Sequence, residues 1–248
     1  MINKKLHCTA IVLAGGSGTR MQTKTDKQYL SLEGHPVLYY SLKCFEEYEK
    51  VQDIVLVCKE KDIPFCKDEI VERYGFQKVK YFAAAGAERY DSVYSGLRAC
   101  DETDLVFIHD SARPFIEKAI LDRALEAAAL YGACAVGMPS KDTVKIVNKE
   151  GIVVSTPPRE EVWLVQTPQV FSYPLICQAH EKLREQDAMK GITDDAMVVE
   201  KTGMGKVAMV SGSYENIKLT TPDDLATAKR ILETIRERNA CRCRKENT

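Results

Sequence analysis

The chain has 248 residues, 45% of them hydrophobic and 29% charged, with a formal net charge of −1 at pH 7. A chain of this size and composition buries a core without disulfide or metal staples. The near-neutral balance gives no electrostatic case for nucleic acid or a membrane surface as partner, and no apolar run reaches the ~18–20 residues of a membrane span.

The nine cysteines are odd in number and form no Cys-x-x-Cys pair. Most, such as Cys58 and Cys134, sit inside apolar runs, where a thiol behaves as a small hydrophobe. That usage fits a reducing, cytoplasmic setting. Met1 to Cys8 runs straight into the first strand, so no signal peptide is expected.

The first element is the stretch Ala10 to Gln28. Ile11, Val12 and Leu13 read as a buried strand, too short for a helix and rich in β-branched side chains. Gly15, Gly16 and Gly18 follow. Glycines after a strand serve either as a tight connection or as a backbone free to take positive φ and approach a ligand. Consecutive N–H groups in such a turn attract anions, and Arg20 and Lys27 add positive charge beside it. No Gly-Lys-Ser/Thr closes a Walker A loop, and the third glycine of a dinucleotide fingerprint is missing.

Tyr29 to Pro36 reads as a short extended piece, with Pro36 opening a helix through Phe45. Asp53–Cys58 is the second strand. A helix from Asp62 to Tyr74 ends near Gly75, and Val79 to Ala85 is the third strand. Gly86 then turns into a helix start carrying Arg89, Asp91 and Ser92, which suits a plain cap or a held hydroxyl or anion. Asp104 to Asp110 is the fourth strand. A carboxylate at the carboxyl end of a buried strand sits where open α/β sheets bind ligands, although turns before proline favour Asp for structural reasons too. Glu117 to Tyr131 is helical and Ala133 to Met138 is the fifth strand. Strand and helix alternate at a spacing that implies an α/β fold: a Rossmann-like, mostly parallel sheet with helices on both faces.

The pattern changes after Pro139. Thr143 to Val147 and Ile152 to Thr156 form a hairpin around Asn148–Gly151. It has too little apolar surface to stand alone, so it is expected to project from about 140–160 as an arm toward a partner, most simply a second copy. Arg159 to Phe171 returns to the body, with Trp163 expected in the core. Pro174 to Arg184 is helical. Thr193 or Asp194 caps another helix. Lys206 to Val210 is a strand, followed by an extended piece with Lys218 among apolar neighbours. Thr221 caps a helix that begins at Pro222 and is expected to end near Arg236. Residues 1–236 then form a single domain. Residues 237–248, which include Cys241 and Cys243, form a polar and mobile tail.

Several stretches together resemble one family. The run Leu13-Ala-Gly-Gly-Ser-Gly-Thr-Arg20 with Lys27-Gln28 resembles the opening loop of sugar-nucleotide pyrophosphorylases. Gly86-x-x-Arg89-x-Asp91-Ser92, His109-Asp110-x-Ala112-Arg113-Pro114, Gln166-Thr167-Pro168-Gln169, Thr193-Asp194 and Asn216-Ile217-Lys218 narrow this further. Over residues 8 to 236 the chain is similar to 2-C-methyl-D-erythritol 4-phosphate cytidylyltransferases of the non-mevalonate isoprenoid pathway; ribitol-5-phosphate cytidylyltransferases are their nearest relatives.

The resemblance implies roles for these residues. Ala14, Gly15, Gly16, Ser17 and Gly18 would wrap the phosphates of CTP, and Arg20 and Lys27 would stabilise charge at the attacked phosphate. Gly86, Arg89 and Ser92 would lie by cytosine and ribose, Asp110 by the ribose and the phosphates, and Ser111 and Ala112 would also bind CTP. Asp110 would also face Mg²⁺ held mainly by phosphates. Arg159 and Lys218 would hold the phosphate of the polyol acceptor, and Thr193, Asp194 and Arg113 would position the rest of it. The resemblance also implies a homodimer through the arm. The loop departs mildly from the family in having Ala14-Gly15-Gly16, where two alanines often precede the glycine. This leaves the fold unaffected but keeps open ribitol phosphate as acceptor, alongside a non-catalytic nucleotide-binding protein.

Overall fold

The computed structural model describes residues 6–16 and 25–246, with side chains as far as 238. In chain order the strands are β1 (Cys8–Leu13), β2 (Ser31–Leu32), β3 (His35–Pro36), β4 (Asp53–Cys58), β5 (Val79–Ala84), β6 (Leu105–Asp110), β7 (Ala133–Pro139), β8 (Ile146–Val147), β9 (Val153–Ser155), β10 (Trp163–Ser172) and β11 (Ala208–Ser211). The helices are α1 (Val37–Glu46), α2 (Ile63–Phe65), α3 (Arg89–Arg98), α4 (Lys118–Tyr131), α5 (Tyr173–Glu185), α6 (Asp195–Thr202) and α7 (Pro222–Glu246), with α2 running on as a π-helix over Cys66–Glu72.

Seven strands form one sheet in the order β11-β7-β10-β6-β1-β4-β5. β1 pairs in parallel with β4 and β6, β4 with β5, and β7 with β11. β10 runs against both β6 and β7. The expected mostly parallel sheet is therefore present, with one reversed strand inside it. β1, β4 and β6 are apolar runs because helices cover both faces. On one face Leu38, Leu42 and Phe45 of α1 pack with Ile120, Leu121 and Ala124 of α4. On the other, Val93 and Leu97 of α3 meet Ile176 and Leu183 of α5 and Val198 and Val199 of α6. β4 and β6 leave β1 to opposite sides, so the crevice at the carboxyl ends of β1 and β6 lies where strand order reverses. Ligands bind at such points in open α/β sheets.

Some expectations need correction. Trp163 begins β10 only half-buried, not in the core. α7 runs past Arg236 to Glu246, so part of the polar tail is helical. Its start is capped by Asp224, whose Oδ2 accepts the N–H groups of Thr220 and Thr221 at 2.7 and 2.8 Å. The hairpin is present but short, closed by Asn148 N–H donating to Ile152 O at 3.0 Å. It stays apolar and open: Ile146, Val147, Ile152, Val153 and Val154 are 49–65% exposed.

Candidate active site

Two adjoining clefts open at the carboxyl ends of the central strands. The first, about 510 Å³, is bounded by the exits of β1, β4, β5 and β6. Gly15 and Gly16 follow β1, and Lys27 stands on a 3₁₀ turn over Lys27–Tyr29. That turn is tied to the strand exit by the buried Gln28, whose Nε2 donates to Ala14 O at 2.6 Å. The expected positive φ does not occur at Gly15 or Gly16. Gly15 is glycine because of close approach: a Cβ there would lie 2.2 Å from Cβ of Ala85. Gly86 likewise admits Asp91, whose Cβ would be 2.3 Å from an added one. The Gly86 N–H donates to Ser92 Oγ at 3.1 Å, and that hydroxyl donates to Glu88 O at 3.2 Å.

Gly86, Arg89, Ser92, Asp110, Ser111 and Ala112 all line this cleft, as the motifs implied. Ala14 does not; it is buried, and its N–H donates to Val57 O at 2.7 Å. Ser17, Gly18 and Arg20 lie outside the described residues. Lys59 and Glu60, which no motif flagged, join the lining. They follow β4, and the carboxyl-end rule that singled out Asp110 applies equally to that strand. Lys59 Nζ pairs with Asp26 at 2.6 Å.

The second cleft, about 300 Å³, adds Arg113, Gln166, Thr167, Gln169, Thr193 and Asp194. A register shift in β10 between Val165 and Gln169, holding the cis Thr167–Pro168 peptide, brings these β10 residues together. The Asp110 N–H donates to Thr167 Oγ1 at 3.1 Å. His109 Nε2 lies 3.1 Å from Arg113 O, a group that only accepts, so the imidazole carries its proton there and Nδ1 accepts from Thr167, also at 3.1 Å. Complete burial lowers the His109 pKa to about 4, which keeps the ring neutral. Arg113 donates to Asn216 O at 2.8 Å, and its buried Nε has no hydrogen-bond partner among the described residues.

Arg89, Asp110 and Lys218 line both clefts and form the wall between them. Arg89 Nε donates to Asp110 Oδ1 at 3.2 Å, and Lys218 Nζ to Asp110 Oδ2 at 2.5 Å. Burial alone would raise the Asp110 pKa, but Arg89, Lys218 and Arg113 outweigh it and hold the carboxyl well below its usual range. Asp110 is therefore an anion at any working pH, with each oxygen engaged by a cation. Arg159 is not brought to either cleft. It is exposed beside the arm, with Nη1 donating to Lys141 O at 3.2 Å.

Comparison with known proteins shows the family of the chain. The family model of 2-C-methyl-D-erythritol 4-phosphate cytidylyltransferase matches residues 8–234. The chain belongs to this family. A member from Lachnospira eligens is 46% identical over 220 residues, 89% of this chain and 96% of that protein. One from Geotalea uraniireducens is 46% identical over 233 residues, 93% of this chain and 98% of that protein. The crystal structure of 4-diphosphocytidyl-2C-methyl-D-erythritol synthase from Anaerococcus prevotii superposes with a TM-score of 0.82 at 32% identity, covering 92% of this chain and 97% of that one.

Proposed function

We propose that the two clefts divide the two substrates of a cytidylyl transfer, with CTP in the first and the acceptor phosphate in the second. The chain transfers CMP from CTP to 2-C-methyl-D-erythritol 4-phosphate, giving CDP-methylerythritol and pyrophosphate for isoprenoid precursor synthesis. The observation that carries the division is the shared wall, because the reacting groups must meet where the clefts adjoin.

An oxygen of the acceptor's phosphate attacks the α-phosphorus of CTP. The new P–O bond forms as the bond to the β-phosphate oxygen breaks, and pyrophosphate leaves with that electron pair. The nucleophile is already anionic near neutral pH, so no side-chain nucleophile is needed. Positioning and charge neutralisation do the work in phosphoryl transfer. Lys27, at the mouth of the first cleft, stabilises charge developing at the α-phosphate, with Arg20 assigned the same task. Lys218 has three donors; one serves Asp110 and the others remain for phosphate oxygens. The guanidinium of Arg113 adds positive charge to the lining of the acceptor cleft.

The residues fit Mg²⁺ brought in with the triphosphate better than a resident ion. No group of three His, Cys, Asp or Glu side chains among the described residues could hold a metal, and Asp110 already serves two cations. Mg²⁺ commonly takes only one or two carboxylates and fills its shell with substrate phosphates and water. When bound, it would screen the charge of the triphosphate and of the leaving pyrophosphate.

Arg159 and the arm extend this reading to a homodimer. The arm exposes five apolar side chains that nothing among the described residues covers, and Leu164 and Val165 of β10 are exposed too. A second copy would cover that surface and carry its Arg159 to the acceptor cleft. The described cysteines are free thiols, which suits a cytoplasmic enzyme.

The test is to incubate the protein with CTP, Mg²⁺ and either methylerythritol 4-phosphate or ribitol 5-phosphate, measuring pyrophosphate and the nucleotide product by mass. Pyrophosphate and CDP-methylerythritol in equal amounts are expected with the first acceptor. Turnover confined to ribitol phosphate would reassign the acceptor, and no turnover with either would leave a nucleotide-binding protein.

A further inference from the structure

Asp195 lines neither cleft and is 1% exposed. Both its oxygens go to one partner: Arg89 Nη1 donates to Oδ1 at 2.9 Å and Nη2 to Oδ2 at 2.8 Å. The side chains are 106 positions apart in sequence and meet where the start of α6 passes behind the wall.

We propose that Asp195 is the positioning residue for the cytidylyl transfer, holding the guanidinium of Arg89 so that it grips Asp110 from one side and faces both substrates. The two-pronged contact fixes the guanidinium plane as well as its place, which a single point charge would not. Three of the five N–H groups of Arg89 are spent on Asp195 and Asp110, leaving the others for a nucleotide or its acceptor. If Asp195 lost its charge, Arg89 would be free to turn its fork onto Asp110, where Lys218 already occupies one oxygen.

The alternative, that Asp195 merely anchors α6, is countered by that helix's own anchors. Asp194 Oδ1 caps it by accepting the Met197 N–H at 3.1 Å. Gln169 clamps the same end, with Oε1 accepting the Ala196 N–H at 2.8 Å and Nε2 donating to Asp194 Oδ2 at 2.8 Å. Ala196, Val198 and Val199 are buried. No hydrogen bond from Asp195 serves the helix through its side chain; both prongs serve Arg89. The arrangement also places Thr193 and Asp194, which line the acceptor cleft, directly beside the residue that orients a wall of the nucleotide cleft.

This inference rests on CTP occupying the first cleft, and the experiment separates the two. CTP alone, without acceptor, is titrated calorimetrically into wild type, Asp195→Asn, Arg89→Gln and the double variant, with a thermal melt of each. Asp195→Asn should weaken CTP binding about tenfold, as expected for loss of a bidentate charged contact that orients a ligand-facing group. In the Arg89→Gln background the same change should cost less than about twofold, because coupled residues do not add. A full tenfold loss in both backgrounds, or wild-type affinity in a folded Asp195→Asn protein, would overturn the proposal. Arg89→Lys, which keeps the charge but not the fork, guards against an Asp195 variant that does not fold: it should show a similar loss, and wild-type affinity would also overturn the proposal. Failure of the wild type to bind CTP would instead remove the nucleotide assignment itself.

Discussion

The wall between the clefts and the arm meet the same requirement, burying what water would otherwise solvate, in opposite ways. In the wall, each Asp110 oxygen has a cation and each prong of Arg89 has a carboxylate, all from one chain. In the arm, Val153 and its neighbours stay half or more exposed. The described lining of the first cleft thus comes from a single chain, whereas Arg159, assigned above to the acceptor, is absent from the second cleft and sits beside the uncovered arm. A buried charged cluster is costly with a partner missing, and here every partner comes from the same chain. An apolar ribbon can wait for a partner to cover it.

The largest expected effect tests the cis half. Lys27→Ala should lower kcat by about 10²–10³-fold, the cost of one preorganised donor at a developing charge. CTP affinity should change by less than about threefold. Equal losses in both, read by single-turnover kinetics and nucleotide titration, would make Lys27 a binding residue instead. Arg159→Ala tests the other half: the acceptor KM should rise about 10–100-fold, as expected for a lost charged hydrogen bond to phosphate, with CTP binding unmoved. A change confined to CTP would refute the acceptor role.

Val153→Asp breaks the comparison where it is weakest, at the arm. The variant should sediment as a monomer where wild type sediments as a dimer, with its melting temperature within a few degrees of wild type because Val153 contributes little to its own chain's core. Unchanged sedimentation would remove the arm from the interface.

The smallest effect sharpens the cis side, where His180 is an exception to full pairing. It is buried on α5 against Tyr94 of α3, and neither ring nitrogen has a hydrogen-bond partner among the described residues. Burial, then Arg184 and Arg89, lower its pKa from 6.5 to about 4. Between those values the unfolded chain binds the proton and the fold does not. The fold therefore keeps its full stability above pH 6.5 and loses it as pH falls toward 4. His180→Phe should recover up to about 2 kcal/mol at pH 5 and much less at pH 7.5. An equal gain at both pH values would contradict the linkage.

The central parallel strands were legible because β1, β4 and β6 are apolar runs between turn residues, and the first cleft because a glycine turn follows β1 and Asp110 ends β6. The direction of β10 was not, since Gln166-Thr167-Pro168-Gln169 interrupts its apolar pattern and residue pattern does not encode strand direction. Lys59 and Glu60 were missed because attention followed motifs and not every strand exit. The Asp195–Arg89 pair was beyond reach, as pattern alone does not reveal a contact across 106 positions. The positive φ expected of the glycines is absent at Gly15 and Gly16, and Gly15 makes room for Ala85. Arg159 was assigned to the acceptor phosphate without regard to distance, and the fold shows that its own chain does not deliver it there.

The most direct test mixes subunits. Lys27→Ala and Arg159→Ala chains are co-expressed with distinct tags, the mixed dimer is isolated, and CDP-methylerythritol formed from CTP, Mg²⁺ and methylerythritol 4-phosphate is measured by mass. If one chain builds the nucleotide cleft and its partner supplies Arg159, the mixed dimer holds one intact site and should recover about half of wild-type turnover, although each parent is crippled. A mixed dimer no more active than its parents would show that both residues serve the same chain's site and would contradict the account.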